Sequence, residues 1–413
     1  MNYVAFVESN ITGHGVRALR TAKELGFRVA FLTSNPNLYQ PAGCPDPLAV
    51  VDDLVIADTY SPRHLETALN LLPARVEGIV AFDDYHLTPA SEVARRRGLP
   101  APAQAGLLAC RQKDLTRAAL SGTASAVPHQ VVDATEPVPA SSPVGYPCVV
   151  KPVDDSGSVA VRRCDDDETF RAALTAVLAR TVNVRGYRLT RRALVERYLD
   201  GPEYSVEALS DGSGWAILGV TTKELGPLPC AVELGHAFPA PLSAELTEQV
   251  QACATGWLDE VGLDWGAAHV ELRLTETGPL PIEINPRLGG GRIMDLVRLA
   301  TGLDPVELFL RLSVGESLPP IKATADACQA AAIRFLTAPW RGTLEQVDGA
   351  LAARGRAGVL EVSVPGELPQ RVRPPTCGYD YLGHVIAVGA SPAVAQARAD
   401  AAAGSITMKV TAS

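Results

Sequence analysis

Apolar runs and amphipathic stretches alternate through the first part of the chain. YVAFVE (3–8) and RVAFLT (28–33) have the pattern of short buried strands, and VRALRTAKEL (16–25) has the apolar spacing of a helix that ends at Gly26. DLVIAD, HLETALNLL, GIVAFDD and SEVARRRGL repeat this alternation of strand and helix. Such an order predicts a parallel α/β sheet with helices on its faces, and we place its end near residue 105.

From residue 106 onwards, strands are predicted to follow one another. PCVVKPV carries Lys151 and precedes the polar loop 154–158 and VAVRRC, which predicts two strands joined by a small-residue loop. A helix is predicted over 167–179, and RRALVERYLDGPEYSVEALS predicts two more strands around residues 200–202. A loop rich in backbone N–H groups, with a lysine at its entry, has the composition of a flap over phosphates. An ordinary surface hairpin explains that loop equally well.

The most informative stretch is HVELRLTETGPLPIEINPRLGGGR, which runs from His269 to Arg292. Its two apolar runs are joined by Thr-Glu-Thr-Gly-Pro, which predicts a β-hairpin. Strand alternation places Glu283 and Asn285 on one face, and strand pairing brings Glu271 towards them. Two carboxylates and an amide oxygen suit Mg²⁺ bound with phosphates rather than zinc. A charged hairpin without a ligand is the alternative for any one of these residues alone.

The residues after the hairpin have the chemistry of an anion site. Arg287 and Arg292 flank the run Gly289-Gly290-Gly291, where guanidinium groups and backbone N–H donors can face a phosphate. RIMDLVRLATGL then predicts a helix whose N-terminus, the positive end of its dipole, faces the same anion. Together with the oxygen ligands, this stretch predicts a Mg²⁺–phosphate or Mg²⁺–nucleotide site.

The composition is that of a soluble, globular chain. A chain of 413 residues is too long for one compact core, so two to four domains are expected. Of these residues, 47% are hydrophobic and 20% are charged. No run of about 18 apolar residues occurs and no basic segment precedes the first strand, so we expect a cytoplasmic protein without a membrane partner. The net charge of −9 and the pI near 5.4 argue against a nucleic-acid partner.

The cysteines and lysines indicate which kinds of site the chain can form. The eight cysteines show no CxxC spacing and no histidine at metal-ligand spacing, which favours small buried side chains in a reducing compartment. Of the 37 basic residues only six are lysines, at positions 23, 113, 151, 223, 322 and 409. A compact ammonium acts as a point charge for phosphate, which the broad guanidinium does not duplicate.

Further polar residues are candidates for binding. Glu196 and Glu203 stand at the facing ends of two predicted strands, where carboxylates can accept from an exocyclic amine or bind ribose hydroxyls, although a hairpin with solvated charges also fits. Glu233 and His236 are predicted to lie on a loop, where binding groups collect, although a lone histidine is more often structural. The Gly-His-Gly loop at 13–15 lacks the GxGxxG spacing and gives little support to a dinucleotide site.

An ordered series of residues resembles the ATP-grasp superfamily of carboxylate–amine ligases. The series is Lys113, Lys151 with its Ser-Gly-Ser loop, Glu196-x-Tyr198-Leu199, Glu203, Glu271 and Glu283-x-Asn285-x-Arg287. TTKEL, VELGHAFPA, HVELRL and EINPRLGGGR are most similar to the L-amino acid ligases, which make dipeptides. The resemblance covers residues 1 to about 315 and implies an α/β, ATP-grasp fold. We expect an N-terminal parallel α/β domain (1–105), an α+β lid with a linking helix (106–198), an α+β catalytic subdomain (199–318) and a C-terminal α+β domain (319–413).

The resemblance also implies a role for each residue of the series. It assigns ATP binding to Lys113, Lys151, Ser156, Gly157, Ser158, Glu196, Tyr198, Leu199 and Glu203. It assigns Mg²⁺ to Glu271, Glu283 and Asn285, catalysis to Arg287 and Arg292, and the first substrate to Glu233, His236, Gly290 and Gly291. Val159-Ala160 departs from the small or polar residue and glycine that usually follow the lid serine. A glycine at 291, where relatives can carry a bulky residue, predicts room for a larger substrate side chain.

The activity implied is ATP-dependent amide formation between two amino acids, or between an amino acid and another amine. ATP would phosphorylate the carboxylate to an acyl phosphate, and ADP and phosphate would be released, with Mg²⁺ (two ions, replaceable by Mn²⁺) as cofactor. The expected partners are small amino-acid substrates and a second copy of the chain in a homodimer.

Three alternatives stay open at this point. The first is a carboxylase-like ATP-grasp enzyme that activates bicarbonate, against which the segment with Glu233 and His236 argues. The second is a non-catalytic nucleotide-binding regulatory module, against which the intact ligand series argues. The third is an NAD-dependent oxidoreductase that uses the loop at 13–15.

Overall fold

The amino-terminal part of the chain forms a four-stranded parallel sheet between helices. In the computed structural model, which describes residues 1–10, 14–39, 47–324 and 327–412, the sheet order is β3-β2-β1-β4. Its elements are β1 (Tyr3–Val7), α1 (His14–Glu24), β2 (Arg28–Thr33), β3 (Asp53–Ile56), α2 (Pro62–Asn70), β4 (Val76–Val80) and α3 (Leu87–Arg96). Helices on both faces bury β1 and most of β2, which explains why these strands are continuous apolar runs. The predicted parallel α/β unit is confirmed, while Gly13 of the predicted glycine loop and Cys44 lie outside the described residues.

The next part is a small antiparallel sheet reached through two short helices. These elements are α4 (Gln104–Arg111), α5 (Lys113–Ala119), β5 (His129–Asp133), β6 (Cys148–Pro152), β7 (Arg162–Cys164), α6 (Asp167–Ala179) and β8 (Arg192–Arg197). The sheet order is β5-β8-β6-β7, and the apolar side of α6 packs on it. The two strands predicted around the loop 154–158 are β6 and β7, which pair with each other.

The rest of the structure consists of a large antiparallel sheet with its helices and a separate three-stranded sheet. Its first elements are β9 (Glu203–Ser210), β10 (Trp215–Leu225), β11 (Glu233–Phe238), α7 (Ala244–Glu260), β12 (Gly266–Thr275), β13 (Gly278–Asn285), α8 (Ile293–Thr301) and α9 (Pro305–Ser313). The remaining elements are β14 (Ala330–Leu336), β15 (Gly342–Asp348), α10 (Ala350–Arg354), β16 (Val359–Ser363), β17 (Gln370–Val372), β18 (Gly383–Gly389), α11 (Pro392–Ala403) and β19 (Thr407–Ala412).

The strand order of the large sheet joins two predicted domains. The order is β13-β12-β9-β10-β11-β14-β18-β16, and β17-β15-β19 form a separate three-stranded sheet. Because β14 pairs directly with β11, the predicted boundary at 318/319 falls between strands that share backbone hydrogen bonds. The carboxyl-terminal segment is thus continuous with the sheet that carries the candidate site.

Two cores hold the large sheet in place. One face packs against α7, with Trp257 and Leu258 beside Val270 of β12. The other face packs against α8 and α9, and this second core continues into the amino-terminal sheet through residues such as Phe6 and Phe309. The amino-terminal sheet and the large sheet are therefore fixed relative to each other by shared apolar packing. None of the helices in the described ranges is long and apolar enough to cross a membrane.

The strands on either side of residues 200–202 do not form the hairpin that was one interpretation of ERYLDGPE. Glu196 lies on β8 in the small sheet, whereas Glu203 opens β9 in the large sheet. Two strands near in sequence can enter different sheets because cross-strand pairing, and not chain proximity, decides where each one packs. The intervening residues are the connection between the two sheets.

Two helical glycines test how closely these elements pack. A Cβ on Gly106 of α4 would lie 2.0 Å from the Gly262 carbonyl oxygen, whereas a Cβ on Gly256 of α7 would meet no atom within 4 Å. We expect Gly106→Ala to lower the free energy of unfolding by about 1–3 kcal/mol, because the backbone at Gly106 or at Gly262 must move to make room for the methyl group. We expect Gly256→Ala, the matched control, to raise it by about 0.5–1 kcal/mol because alanine favours the helix. Urea denaturation measures both changes, and stabilisation by Gly106→Ala would contradict this packing.

Candidate active site

A cleft between the small antiparallel sheet and the large sheet collects most of the predicted ligand-binding residues. It encloses about 930 Å³ of empty space, part of it open to solvent. The predicted residues that line it are Lys113, Lys151, Ser156, Ser158, Glu196, Tyr198, Leu199, Glu203, Glu233, Glu271 and Glu283. Residues far apart in sequence are thus brought together by the packing of two sheets.

The predicted hairpin is present and sets the floor of this cleft. Glu271 of β12 and Glu283 of β13 are direct cross-strand partners, and Asn285 is the partner of His269. Burial raises the pKa of Glu271, but Lys223 and then His269 outweigh it and lower that pKa to about 2. The hairpin therefore presents an ionised carboxylate opposite a second carboxylate, with the amide of Asn285 two residue pairs away.

Lys113 and Lys151 approach the cleft from different elements. Lys113 begins α5, and its Nζ lies 3.1 Å from Oε1 of Glu283 and donates to the Asp155 carbonyl at 2.6 Å. Lys151 lies on β6, and its Nζ lies 2.6 Å from Oε1 of Glu196. Both side chains are almost fully buried, so their charges act at close range in a poorly solvated site.

Glu196 lies between two cations. In addition to Lys151, Nε of Arg117 donates to its Oε2 at 2.8 Å. Burial raises the pKa of Glu196, but Arg117 and then Lys151 lower it to about 2. Sequence reasoning missed Arg117, although it follows Lys113 by four residues and so shares its helix face.

Tyr198, Leu199 and Glu203 lie where the chain crosses from the small sheet to the large one. The guanidinium of Arg273 stands 4.9 Å from the centre of the Tyr198 ring and donates to the Leu199 carbonyl at 2.7 Å. Its Nε also donates to Glu203 at 3.1 Å. Burial raises the pKa of Glu203. Arg273, which the sequence analysis did not single out, thus fixes the predicted adenine and ribose residues together.

The predicted lid loop is held down by a tyrosine from the amino-terminal part. The Tyr85 hydroxyl lies 2.8 Å from Oδ1 of Asp155 and 2.9 Å from Oγ of Ser156. Gly157 and Ser158 both have positive φ angles, 69° and 58°, which bend the loop sharply. The loop therefore lies close to the residues that follow β4.

Arg287 is oriented by a carboxylate from the same segment. Its Nε donates to Oδ1 of Asp84 at 2.7 Å, and Arg111 lies 3.5 Å from that oxygen. Burial raises the pKa of Asp84, but the two arginines hold it well below its usual range. Asp84 was missed, yet it stands just after β4, and ligand-binding residues collect at the carboxyl ends of strands in a parallel sheet.

Arg292 points towards the carboxyl-terminal segment. Its guanidinium binds Glu361 through two hydrogen bonds of 2.8 Å and also pairs with Asp295. These contacts tie it to β16 and α8, whereas Arg287 is tied to Asp84. The predicted catalytic role of Arg292 stays a prediction.

The prediction that Glu233 and His236 lie on a loop is wrong, since both belong to β11. Three residues apart on a regular strand they would face opposite sides, but the register shifts beside Glu233, and its Oε2 lies 3.3 Å from Nε2 of His236. Proline and glycine around VELGHAF suggested a loop. The segment is a strand because its backbone pairs with β10 on one side and with β14 on the other. A Cβ on Gly291 would lie 2.6 Å from the His236 ring, while one on Gly290 would meet open space.

The donor chemistry of the hairpin fits Mg²⁺ with a nucleotide. Within the described ranges, no three His, Cys, Asp or Glu side chains converge as a metal-ligand group. Glu271, Glu283 and Asn285 supply two carboxylates and one amide, so the remaining ligands of an octahedral ion would be phosphate and water oxygens. The ammonium groups of Lys223 and Lys113 contact Glu271 and Glu283, which shows that these carboxylates attract cations.

The fold is shared with solved structures of known type. L-amino acid ligase from Bacillus licheniformis superposes with a TM-score of 0.80 over 100% of this chain and 99% of that one, at 21% identity. Residues 144–295, which include the lid and the hairpin, match the ATP-grasp domain family. The chain has the ATP-grasp fold. The predicted fold class is thus confirmed, and residues 334–411 of this ATP-grasp protein match L-amino acid ligase C-terminal domain 2.

Two curated relatives each match about three quarters of this chain. The uncharacterized protein y4rH of Sinorhizobium fredii is 31% identical over 76% of this chain and 64% of its own length. Carnosine synthase 1 of Gallus gallus is 27% identical over 74% of this chain and 34% of its own length. The chain therefore spans less than two thirds of these relatives.

The contacts of Glu196 with Lys151 and Arg117 predict a contribution to stability that depends on pH. Glu196→Gln leaves the buried Lys151 and Arg117 without their carboxylate and should lower the free energy of unfolding by about 3–5 kcal/mol at pH 7. Because the folded pKa of about 2 lies below the usual 4.5, this contribution is present above pH 4.5 and is lost as the pH falls towards 2.

Urea unfolding of wild type and variant between pH 3 and 8 measures the difference. Glu276→Gln, in the exposed turn between β12 and β13, is the control and should change stability by less than about 0.5 kcal/mol. A cost of Glu196→Gln that stays constant across this pH range would show that the carboxylate charge does not stabilise the cluster.

Proposed function

We propose that this ATP-grasp protein is an ATP-dependent ligase that joins two amino acids, or an amino acid and another amine. The observation that carries the proposal is the cross-strand pair Glu271–Glu283 in one cleft with Lys113 and Lys151. Glu233 borders the same cleft, so a nucleotide site and a candidate amino-acid site adjoin. This arrangement suits transfer of a phosphoryl group to a carboxylate, followed by attack of an amine.

ATP and Mg²⁺ are the cofactors of ATP-grasp enzymes in general, and the residues here fit both. Glu271, Glu283 and Asn285 would hold two Mg²⁺ ions, for which Mn²⁺ can substitute. Bound Mg²⁺ supplies charge neutralisation on the phosphate oxygens and orients them. The two lysines add point charges at the phosphates, which suits phosphoryl transfer because that reaction depends mainly on positioning and electrostatics.

The lid loop and the residues where the chain crosses from the small sheet to the large sheet would complete the nucleotide site. Tyr198 and Leu199, between the two sheets, would contact adenine, and Glu203 the ribose. Glu196 would contribute to the nucleotide site mainly by fixing Lys151, because its carboxylate already binds two cations. The loop with Ser156, Gly157 and Ser158 would exclude water, which matters because an acyl phosphate hydrolyses.

Arg287 is the residue we propose for stabilising charge on the reacting oxygens. Its guanidinium is held by Asp84 through Nε, so its remaining N–H groups keep a fixed direction. A preorganised cation of this kind stabilises the oxyanion that forms when the amine attacks the acyl phosphate. Arg292 would support the same region through its position at the start of α8.

Glu233 and His236 would contact the first amino-acid substrate, beside Gly290 and Gly291. The carboxylate suits the ammonium group of an amino acid, whereas Gly291 packs against the buried ring of His236, where a Cβ would lie 2.6 Å from that ring. The expectation that Gly291 makes room for a larger substrate side chain stays a prediction. A bicarbonate-activating enzyme has no use for an ammonium-binding carboxylate.

The decisive experiment is release of ADP and phosphate with ATP, Mg²⁺ and pairwise pools of the common amino acids, with products identified by mass. We expect release that depends on an acid and an amine together. Release with bicarbonate alone would favour the carboxylase alternative. Nucleotide binding without release in any pool would favour the regulatory module.

Two substitutions test the site itself. Glu283→Gln removes a carboxylate that faces Glu271, and Arg287→Ala removes the proposed oxyanion donor, so each should lower turnover by about 10³-fold or more. Steady-state ADP formation measures the loss. Thermal unfolding should show that both variants remain folded, and the exposed-turn variant Glu276→Gln should keep wild-type turnover. Near-normal rates in either site variant would mean that the site is misplaced.

A further inference from the structure

Three of the six lysines of this chain are buried at this cleft: Lys113 and Lys151 line it, and Lys223 contacts carboxylates that line it. Lys113, Lys151 and Lys223 are 6%, 3% and 4% exposed. The first two are candidates for binding phosphate, whereas Lys223 of β10 has no role in the proposed reaction so far. A buried lysine in a chain that otherwise prefers arginine indicates a site with the dimensions of an ammonium group.

Lys223 contacts three carboxylates from three different strands. Its Nζ lies 2.5 Å from Oε1 of Glu233 on β11, 2.8 Å from Oε1 of Glu271 on β12 and 3.5 Å from Oε1 of Glu203 on β9. Strand register fixes this position, because Lys223 is the cross-strand partner of Glu203 on one side and of His236 on the other. The contacts are therefore a property of the sheet rather than of a flexible side chain.

The three carboxylates belong to the three parts of the proposed reaction. Glu203 is the candidate ribose ligand, Glu271 a candidate metal ligand and Glu233 the candidate ligand of the first substrate. On Glu271, both Lys223 and His269 contact Oε1, and neither contact uses Oε2. The ammonium can thus orient the metal-binding carboxylate while one of its oxygens faces a cation.

We propose that Lys223 is a positioning residue that holds Glu233 in the orientation that receives the amino-acid substrate. The proposal rests on the ligase function proposed above. A compact ammonium with three donors can point at three carboxylates arranged around it, whereas a planar guanidinium cannot contact all three in the same way. When the ammonium is removed, Glu271 keeps its contact to His269 and Glu203 its contact to Arg273, whereas Glu233 loses its 2.5 Å contact to Lys223 and becomes freer to move.

If Lys223 were only a structural counter-charge, its replacement would have different effects. The substitution would lower the stability of the protein and weaken the binding of every ligand by similar factors. A positioning role acts through Glu233, so the Michaelis constant of the activated amino acid changes much more than that of ATP. The two roles are therefore separable by kinetics and by coupling between substitutions.

The test compares Lys223→Met with Lys23→Met, a half-exposed lysine that pairs with Asp52 far from the cleft. We expect Lys223→Met to raise the KM of the activated amino acid by about tenfold or more and that of ATP by less than about threefold. Lys23→Met should change neither constant. Binding of Mn²⁺–ADP, measured by electron paramagnetic resonance without turnover, should stay within about threefold of wild type in both variants.

A double-mutant cycle tests whether Lys223 acts through Glu233. We expect Lys223→Met to change the amino-acid KM by less than about twofold when Glu233→Gln is already present, because the group that Lys223 orients is then altered. If Lys223→Met does not fold, Lys223→Arg keeps the charge but not the shape, and it should also raise the amino-acid KM. Independent, multiplicative effects in the cycle, or a wild-type KM in Lys223→Arg, would overturn the proposal.

Failure of this inference is distinguishable from failure of the proposed function. A wild-type protein that forms no ADP with any pair of amino acids refutes the ligase function. A wild-type protein that is active, with a Lys223→Met variant whose amino-acid and ATP constants change equally, refutes only the positioning role.

Discussion

The cleft depends on the balance between buried carboxylates and buried cations. Glu271 and Glu283 face each other across two paired strands, and each one contacts a lysine ammonium, from Lys223 and Lys113. Two carboxylates this close repel each other in a poorly solvated site unless cations lie beside them. The lysines therefore offset this repulsion, and a metal–nucleotide complex would add further positive charge beside the same carboxylates.

The same balance ties separate parts of the fold to the cleft. Arg117 joins α5 to β8 through Glu196, and Asp84 joins the amino-terminal sheet to the residue that follows the hairpin, Arg287. Tyr85, beside Asp84, reaches the lid loop. The amino-terminal sheet thus contributes one segment that orients a candidate catalytic arginine and also contacts the predicted lid loop.

The carboxyl-terminal segment also belongs to this arrangement. Its strand β14 pairs with β11, which carries Glu233 and His236, and Phe335 of β14 packs edge-on against the His236 ring. Arg292 binds Glu361 of β16. The wall of the candidate amino-acid pocket is consequently built partly by the segment that matches L-amino acid ligase C-terminal domain 2.

Local patterns in the sequence determined the elements and much of the nucleotide side of the site. Periodicity predicted the parallel α/β unit, and the hairpin with Glu271 and Glu283 was predicted because turn residues and alternation are read within a short window. The structure alone decided that Glu233 lies on a strand, that β8 and β9 enter different sheets, and that Lys223 lies among three carboxylates. These outcomes depend on strand order and register between distant segments, which no local pattern encodes. The sequence thus predicted which residues are candidates for binding and catalysis, and tertiary pairing decided which of them touch.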